Sequence, residues 1–424
     1  MLRLETGKVE LGVAYQRSTL PFRSLGRFLG IAMMALGTMI STQLANAQGV
    51  STADFLASLS DREIEQFREW KGARREFEAQ LDQYWAAVDQ KRQGRKRKRS
   101  GKIQFDTSDY VMSFPPKYQG PSLSGDLAQK YDRFLVAQKQ TDPTQPKELA
   151  TVPDYLAAAK SVYNFVPERV SEKEFKLRYA RESVALGLSK EQVVRVYALE
   201  TGGVGTYDMQ SGLHPSSKSG RAISSALGYA QLLDANSVNE LARSGPTFIS
   251  RITQKLRDPR NSPERTALLK HKLAVLKKMY ANVKHQPFEW TVQQAYAKTR
   301  EGMGIHTLNI DADIGPMLQA MKLKTLQDTA AKQGRYSLSG AELELMNLAG
   351  PVTGLEMMQS PGSEAPTTNF FARRAYYVNK MVIGLTGAQL QAELDRRMTF
   401  AMTKPGSLEF ADAFDTIAVR GAER

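Results

Sequence analysis

The sequence predicts an all-α protein, on three observations. Apolar residues recur at helical spacing through most of the 424 residues. No segment sustains the alternation of a half-buried strand. Two Ser-x-x-Glu/Gln steps, Ser60 with Glu63 and Ser189 with Gln192, have the capping-box spacing that opens a helix.

Composition narrows the partners before any element is placed. The formal charge of +14 favours a polyanion, whether nucleic acid, an anionic membrane surface or an anionic envelope polymer. The absence of cysteine removes disulfides, thiolate metal sites and a cysteine nucleophile. It does not by itself fix the compartment.

Taken in order, residues 1–47 read as a secretory signal peptide. Arg17, Arg23 and Arg27 precede the apolar run from Phe28 to Ile40, and Ala45 and Ala47 hold the small positions of an A-x-A cleavage site. Cleavage near Ala47 gives an exported, periplasmic protein, and no cysteine follows to carry a lipid anchor. Residues 48–104 form an N-terminal helical region in which Phe67, Trp70, Phe77, Leu81 and Trp85 mark a packing stripe. The run from Lys91 to Arg99 then predicts a flexible basic linker, or a segment drawn to an anionic envelope polymer or membrane surface. It lacks the interleaved aromatics of a nucleic-acid groove.

Residues 105–169 read as a Pro/Gly/Ser-rich linker followed by helices at Asp126–Lys139 and Asp154–Phe165. Another helix spans Val170–Leu186, and the one opened by Ser189 runs to Glu200. Arg251–Lys284 reads as a basic helical insertion, broken around Pro259 and Pro263 and lying along the outside. Asn309-Ile310-Asp311-Ala312-Asp313 imitates a calcium loop but lacks the Gly and Glu such a loop needs at its sixth and twelfth positions. The four histidines have no metal-motif spacing, no phosphate-binding loop occurs, and no metal or cofactor is predicted.

Glu200 is the candidate catalytic residue. Val193, Val196, Tyr197 and Glu200 share one helix face, so the carboxyl sits with side chains that seek the core. Loss of water raises a carboxyl's pKa, and one that stays protonated near neutral pH can serve as a general acid. A surface acid at a fraying helix end would have the same spacing. Gly202, Gly203 and Gly205 follow a helix and not a strand, so they read as helix breakers and not as a dinucleotide fingerprint.

The order of motifs from Val170 to Met402 resembles the soluble lytic transglycosylase family. Glu200-Thr201 is similar to that family's Glu-Ser, and Ala226-Leu227-Gly228-Tyr229-Ala230-Gln231-Leu232 to its G-x-x-G-L-M-Q turn. Asn309-Ile310-Asp311-Ala312-Asp313-Ile314-Gly315, Asn347-Leu348-Ala349-Gly350-Pro351 and Arg374-Ala375-Tyr376-Tyr377-Val378 resemble its later motifs. The loop between Glu200 and Gly228 is longer than usual. The family's tyrosine in the fourth motif is replaced here by Asn347 or Leu348.

The resemblance implies a lysozyme-like catalytic domain over residues 170–402, with 403–424 left as a C-terminal tail. It implies cleavage of the MurNAc–GlcNAc bond of peptidoglycan by a single acid, Glu200, giving 1,6-anhydro ends. Thr201, Gly228, Tyr229, Gln231, Tyr376 and Tyr377 would line the glycan site, with Tyr376 or Tyr377 standing in for the missing tyrosine. Asp208 is the candidate second acid, which would make the protein a hydrolytic muramidase instead. A non-catalytic peptidoglycan-binding envelope protein is the third reading.

Overall fold

The computed structural model describes residues 51–140 and 149–422. The expected signal peptide lies outside the described residues. Among those described there are sixteen α-helices and no strand, in agreement with the all-α expectation.

Helices α1 (Thr52–Ala57) and α2 (Asp61–Ser100) each open on a complete capping box, the second made by Ser60 and Glu63. With 40 residues, α2 is roughly 60 Å long. Its first half packs with α3 (Gly125–Gln140) in a small aromatic cluster of Phe55, Phe67 and Leu127. Its middle sends Leu81, Trp85 and Val88 into the main core.

The Lys91–Arg99 run is therefore not a flexible linker. It forms the last turns of α2, where cations oppose the negative end of the helix dipole. Arg95 is buried against Glu356 at 2.7 Å, and Lys98 pairs with Asp109 at 2.6 Å. Arg92 donates to the Phe371 carbonyl at 2.9 Å. The predicted linker after residue 105 is extended apart from a 3-10 turn at Thr107–Asp109, and it is pinned, since Asn369 exchanges two side-chain hydrogen bonds with the Val111 backbone at 2.8 and 2.9 Å.

Next come α4 (Val152–Tyr163), α5 (Glu172–Ala185) and α6 (Lys190–Thr201). After a long loop, α7 (Asp234–Leu256) and α8 (Pro263–Val283) pack as a pair. The break at Pro259–Pro263 is where the sequence predicted it, but the pair does not lie along the outside. Ile252, Leu269, Leu276, Met279 and Val283 are fully buried in a second core, which α4 shares with α9 (Trp290–Ala297), α10 (Arg300–His306) and α11 (Gly315–Ala331). Lys272 is wholly buried there, with Asp311 at 3.0 Å, Asp313 at 2.7 Å and Glu168 at 2.5 Å. The acids that imitated a calcium loop hold a lysine instead.

The chain ends with α12 (Gly340–Ala349), α13 (Pro351–Met357), α14 (Arg373–Val378), α15 (Gly387–Ala401) and α16 (Pro405–Ala422). Residues 403–424 are not a tail as far as they are described, because α16 packs on α5 and α6. Its Phe410 is buried among Tyr179, Tyr197 and Tyr229, with ring centroids 5.3–5.6 Å apart. Trp85 of α2 and Phe410 of α16 belong to the same core as α6, so the expected boundaries at 169 and 402 do not separate independent cores.

Candidate functional site

Helix α6 is framed by local chemistry. Ser189 and Gln192 close a reciprocal capping box at 3.0 and 3.1 Å, and Gly202 ends the helix in a left-handed conformation at φ +64°. Val193, Val196 and Tyr197 are buried as expected. Glu200 falls in the last turn and keeps part of its surface accessible. Gly203, at φ +72°, lies so close to α15 that a Cβ would stand 2.4 Å from the Ala401 carbonyl. The glycine turn thus fastens the end of α6 to the C-terminal helices.

Helix α12 brings the partners. Ser339 and Glu342 cap it, and Gly340 approaches α6 closely enough for its N–H to donate to Glu191 at 2.9 Å. Glu344 and Asn347 are three residues apart and so share a face. The Asn347 amide donates to Glu200 Oε1 at 3.2 Å and to the Glu344 carboxyl at 3.4 Å. Glu344 is 2 % exposed, and its carboxyl is hydrogen-bonded to that of Glu200.

Two carboxyls desolvated side by side cannot both ionise cheaply. Burial pushes Glu200 up to about 7, moderated by hydrogen bonds from Glu344 and Asn347. Burial and the neighbouring Glu200 charge push Glu344 well above the usual carboxylate range. The C-terminal end of the α6 dipole also disfavours negative charge at Glu200. The nearby cation, Lys322 of α11, lowers Glu344 but is outweighed by burial and the Glu200 charge. At neutral pH Glu344 therefore keeps its proton and donates it toward Glu200, and Glu200 sits near its midpoint.

The other predicted residues have different surroundings. Tyr229 is buried on the α6 side, its ring 4.8 Å from Tyr197 and its hydroxyl bonded to Glu172. Thr201 is buried and donates to the Tyr197 carbonyl at 2.7 Å. Gly228 takes φ +81° with the Gln319 side chain where a Cβ would stand, and Gln319 accepts the Ala230 N–H at 2.9 Å. Gln231 folds back onto the Gly228 carbonyl at 2.8 Å. This turn is real and tightly built, but the side chains of Thr201 and Tyr229 are spent on internal bonds and cannot line a groove as expected.

Neither tyrosine of α14 supplies the missing partner. Tyr376 is buried, accepts the Gly384 N–H at 2.9 Å and packs on Trp85, while Tyr377 is 38 % exposed and packs edge-on against both Trp85 and Tyr376. Glu200 takes Asn347 and Glu344 in their place. Asp208, the candidate second acid, is held as a carboxylate among cations. Burial alone would raise its pKa, but Lys218, Thr206 and Arg169 hold it low. It pairs with Lys218 at 2.6 Å and with Arg169.

Glu344 was missed by sequence reasoning, although its signal was present. It shares a helix face with Ala341 and Leu348, three residues before and four after it, which is the kind of argument that selected Glu200. A buried Ser237–His306 pair, 2.8 Å apart, resembles a nucleophile and its base. His306 is wholly buried and bridges Ser237 to the Ser225 carbonyl at 2.8 Å, so the pair fastens helices and faces no solvent. No cluster of metal-ligating side chains occurs among the described residues. None of these helices is long and apolar enough to cross a membrane. Comparison of the chain with protein-family models, curated proteins and solved structures finds no match.

Proposed function

We propose that this protein is a peptidoglycan lytic transglycosylase with Glu200 as its single acid/base. The observation that carries the reading is one partly accessible carboxyl, raised to about 7, at the end of a buried helix face and backed by a protonated acid. The order of the five motifs supports the substrate class, and the +14 charge suits an anionic glycan. The basic α2 end and export through the N-terminal segment fit an envelope location.

In this mechanism Glu200 gives its proton to the glycosidic oxygen as the C1–O bond of the muramoyl residue breaks. The resulting carboxylate is held by the Asn347 amide and the Glu344 hydroxyl. It then takes the proton of the muramoyl 6-hydroxyl as O6 bonds to C1, which closes the 1,6-anhydro ring and restores the acid. No water is consumed and no second ionised carboxylate is needed, in contrast to hydrolytic glycosidases.

Digestion of purified peptidoglycan, read by mass spectrometry, tests this. Wild type is expected to yield anhydro ends, and Glu200→Gln is expected to lose at least about a hundredfold in rate, the usual contribution of general acid–base catalysis. Reducing ends would make the protein a hydrolytic muramidase. Binding to sacculi without any cleavage by wild type would leave the wall-binding reading, and equal turnover by both proteins would remove Glu200 from the chemistry.

A further inference from the structure

The basic end of α2 does more than dock. Between α2 and the segment from α13 to Phe370 lies a cavity of about 290 Å³. Arg92, Arg95, Lys96 and Arg99 line it from one side and Glu356 from the other. Four cations thus meet one carboxylate, and that carboxylate is already shared. Glu356 accepts from Arg95 at 2.7 Å, from Arg99, and from the Tyr110 hydroxyl at 3.0 Å. Asp89 lies outside the lining and neutralises part of Arg92 at 2.6 Å. A surplus of positive charge remains at the cavity.

The four cations are placed differently. Arg95 is the floor: it is 3 % exposed and fixed by the Asp109 and Asn369 carbonyls at 2.9 and 2.6 Å. Arg92 is half-buried and is shared between Asp89 and the Thr368 and Phe371 carbonyls. Lys96 is exposed at the rim. Gln93 and Thr353 add neutral donors, and the ring of Phe370 provides an apolar wall.

We propose that this cavity binds a single phosphate ester. A phosphoryl group carries a charge of about −1.5 to −2 near pH 7 and offers oxygens to several forked donors, which suits clustered arginines. The volume exceeds that of inorganic phosphate, so a small polyol substituent is accommodated against Phe370. A glycerol phosphate has this chemistry as a free monoester, and as the headgroup of an anionic lipid it offers the same glycerol and phosphate oxygens as a diester with one negative charge. The site is separate from Glu200 and does not depend on the role assigned to it.

Titration calorimetry of the full chain with sn-glycerol 3-phosphate tests the proposal. Wild type is expected to bind one equivalent saturably. Lys96→Gln, at an exposed position, is expected to weaken binding about tenfold, the worth of one charged hydrogen bond. Arg97→Gln, with the same charge change on the same turn but outside the lining, is expected to keep the affinity within about twofold. Vesicles of phosphatidylcholine with phosphatidylglycerol distinguish the source. Competition with the free ester assigns the site to a lipid headgroup, and absence of competition assigns it to the soluble ester. No saturable binding, or an equal loss in Lys96→Gln and Arg97→Gln, overturns the site.

Discussion

Where α8 meets the turn before α11, Lys272 lies buried among Asp311, Asp313 and Glu168; where α6 meets α12, Glu200 lies against Glu344 with an amide beside it. Both places bury ionisable groups, but the first mixes signs and the second repeats one. In the first, burial alone would raise Asp313, yet Lys272, Lys255 and Arg265 hold it well below the usual carboxylate range. Burial would likewise lower Lys272, and its acids raise it. Asp313 and Lys272 are thus each held in their charged form. In the second, the Asn347 amide and Lys322 offset only part of the desolvation, so a proton stays on the pair. Opposite charges make a fixed clamp, and like charges make a group that exchanges protons near pH 7.

The largest effect should come from breaking the clamp. Lys272→Met leaves three acids without their buried cation and is expected to cost about 3–5 kcal/mol, read as a lowered midpoint of urea unfolding. A change below about 1 kcal/mol, the value of a surface pair, would mean that the acids do not depend on the lysine.

The carboxyl pair should respond with the opposite sign. A folded-state pKa raised from 4.5 to about 7 makes Glu200 contribute stability fully present below pH 4.5 and lost as pH rises through 7. In the intervening window the folded chain binds more protons than the unfolded one, so stability falls with rising pH. A shift of this size corresponds to roughly 3 kcal/mol. Glu200→Gln is therefore expected to shrink the loss of stability between pH 5 and pH 8 by about 2–3 kcal/mol, measured by urea unfolding at the two values. Asp313 and Lys272 of the clamp do not add to that difference, because the first is held below its usual range and the second above it. An unchanged pH dependence would remove Glu200 from the desolvated pair.

The smallest effect separates the two carboxyls. Glu344→Gln keeps a donor toward Glu200, whereas Glu344→Leu removes it. Carbon-13 NMR titration should place the Glu200 pKa higher in Glu344→Leu than in Glu344→Gln by about one unit, the worth of a lost hydrogen bond to a carboxylate. Equal values in the two variants would exclude Glu344 as the donor.

What was legible in the sequence was local. The capping boxes at Ser60 and Ser189 and the left-handed stop at Gly202 depend on residues within one turn, and the all-α class followed from periodicity. The basic run was misread because Glu356 and the Thr368–Phe371 carbonyls, which use its charges, lie more than 250 residues away. The last helix was misread for a similar reason, since Phe410 needs an aromatic pocket built from Tyr179, Tyr197 and Tyr229. Glu344 differs: its apolar neighbours showed it, but only Asn347, Leu348 and Ala349 drew notice within that helix. The tightness of the Gly228 turn depends on Gln319, a residue that no nearby pattern marks.

That aromatic pocket also sets the order in which the molecule can be completed. Helix α6 carries the acid, yet one wall of its core comes from residues near the very end of the chain. A polypeptide emerging from its N-terminus has Glu200 long before it has Phe410. Until α16 arrives, Tyr197 and Tyr229 lack the ring that covers them, and the turn at Gly203 lacks the Lys404 and Ser407 side chains that close over it. The acid can therefore take up its final surroundings only after α16 has been made, so a chain that stops short of α16 is kept from presenting a finished site.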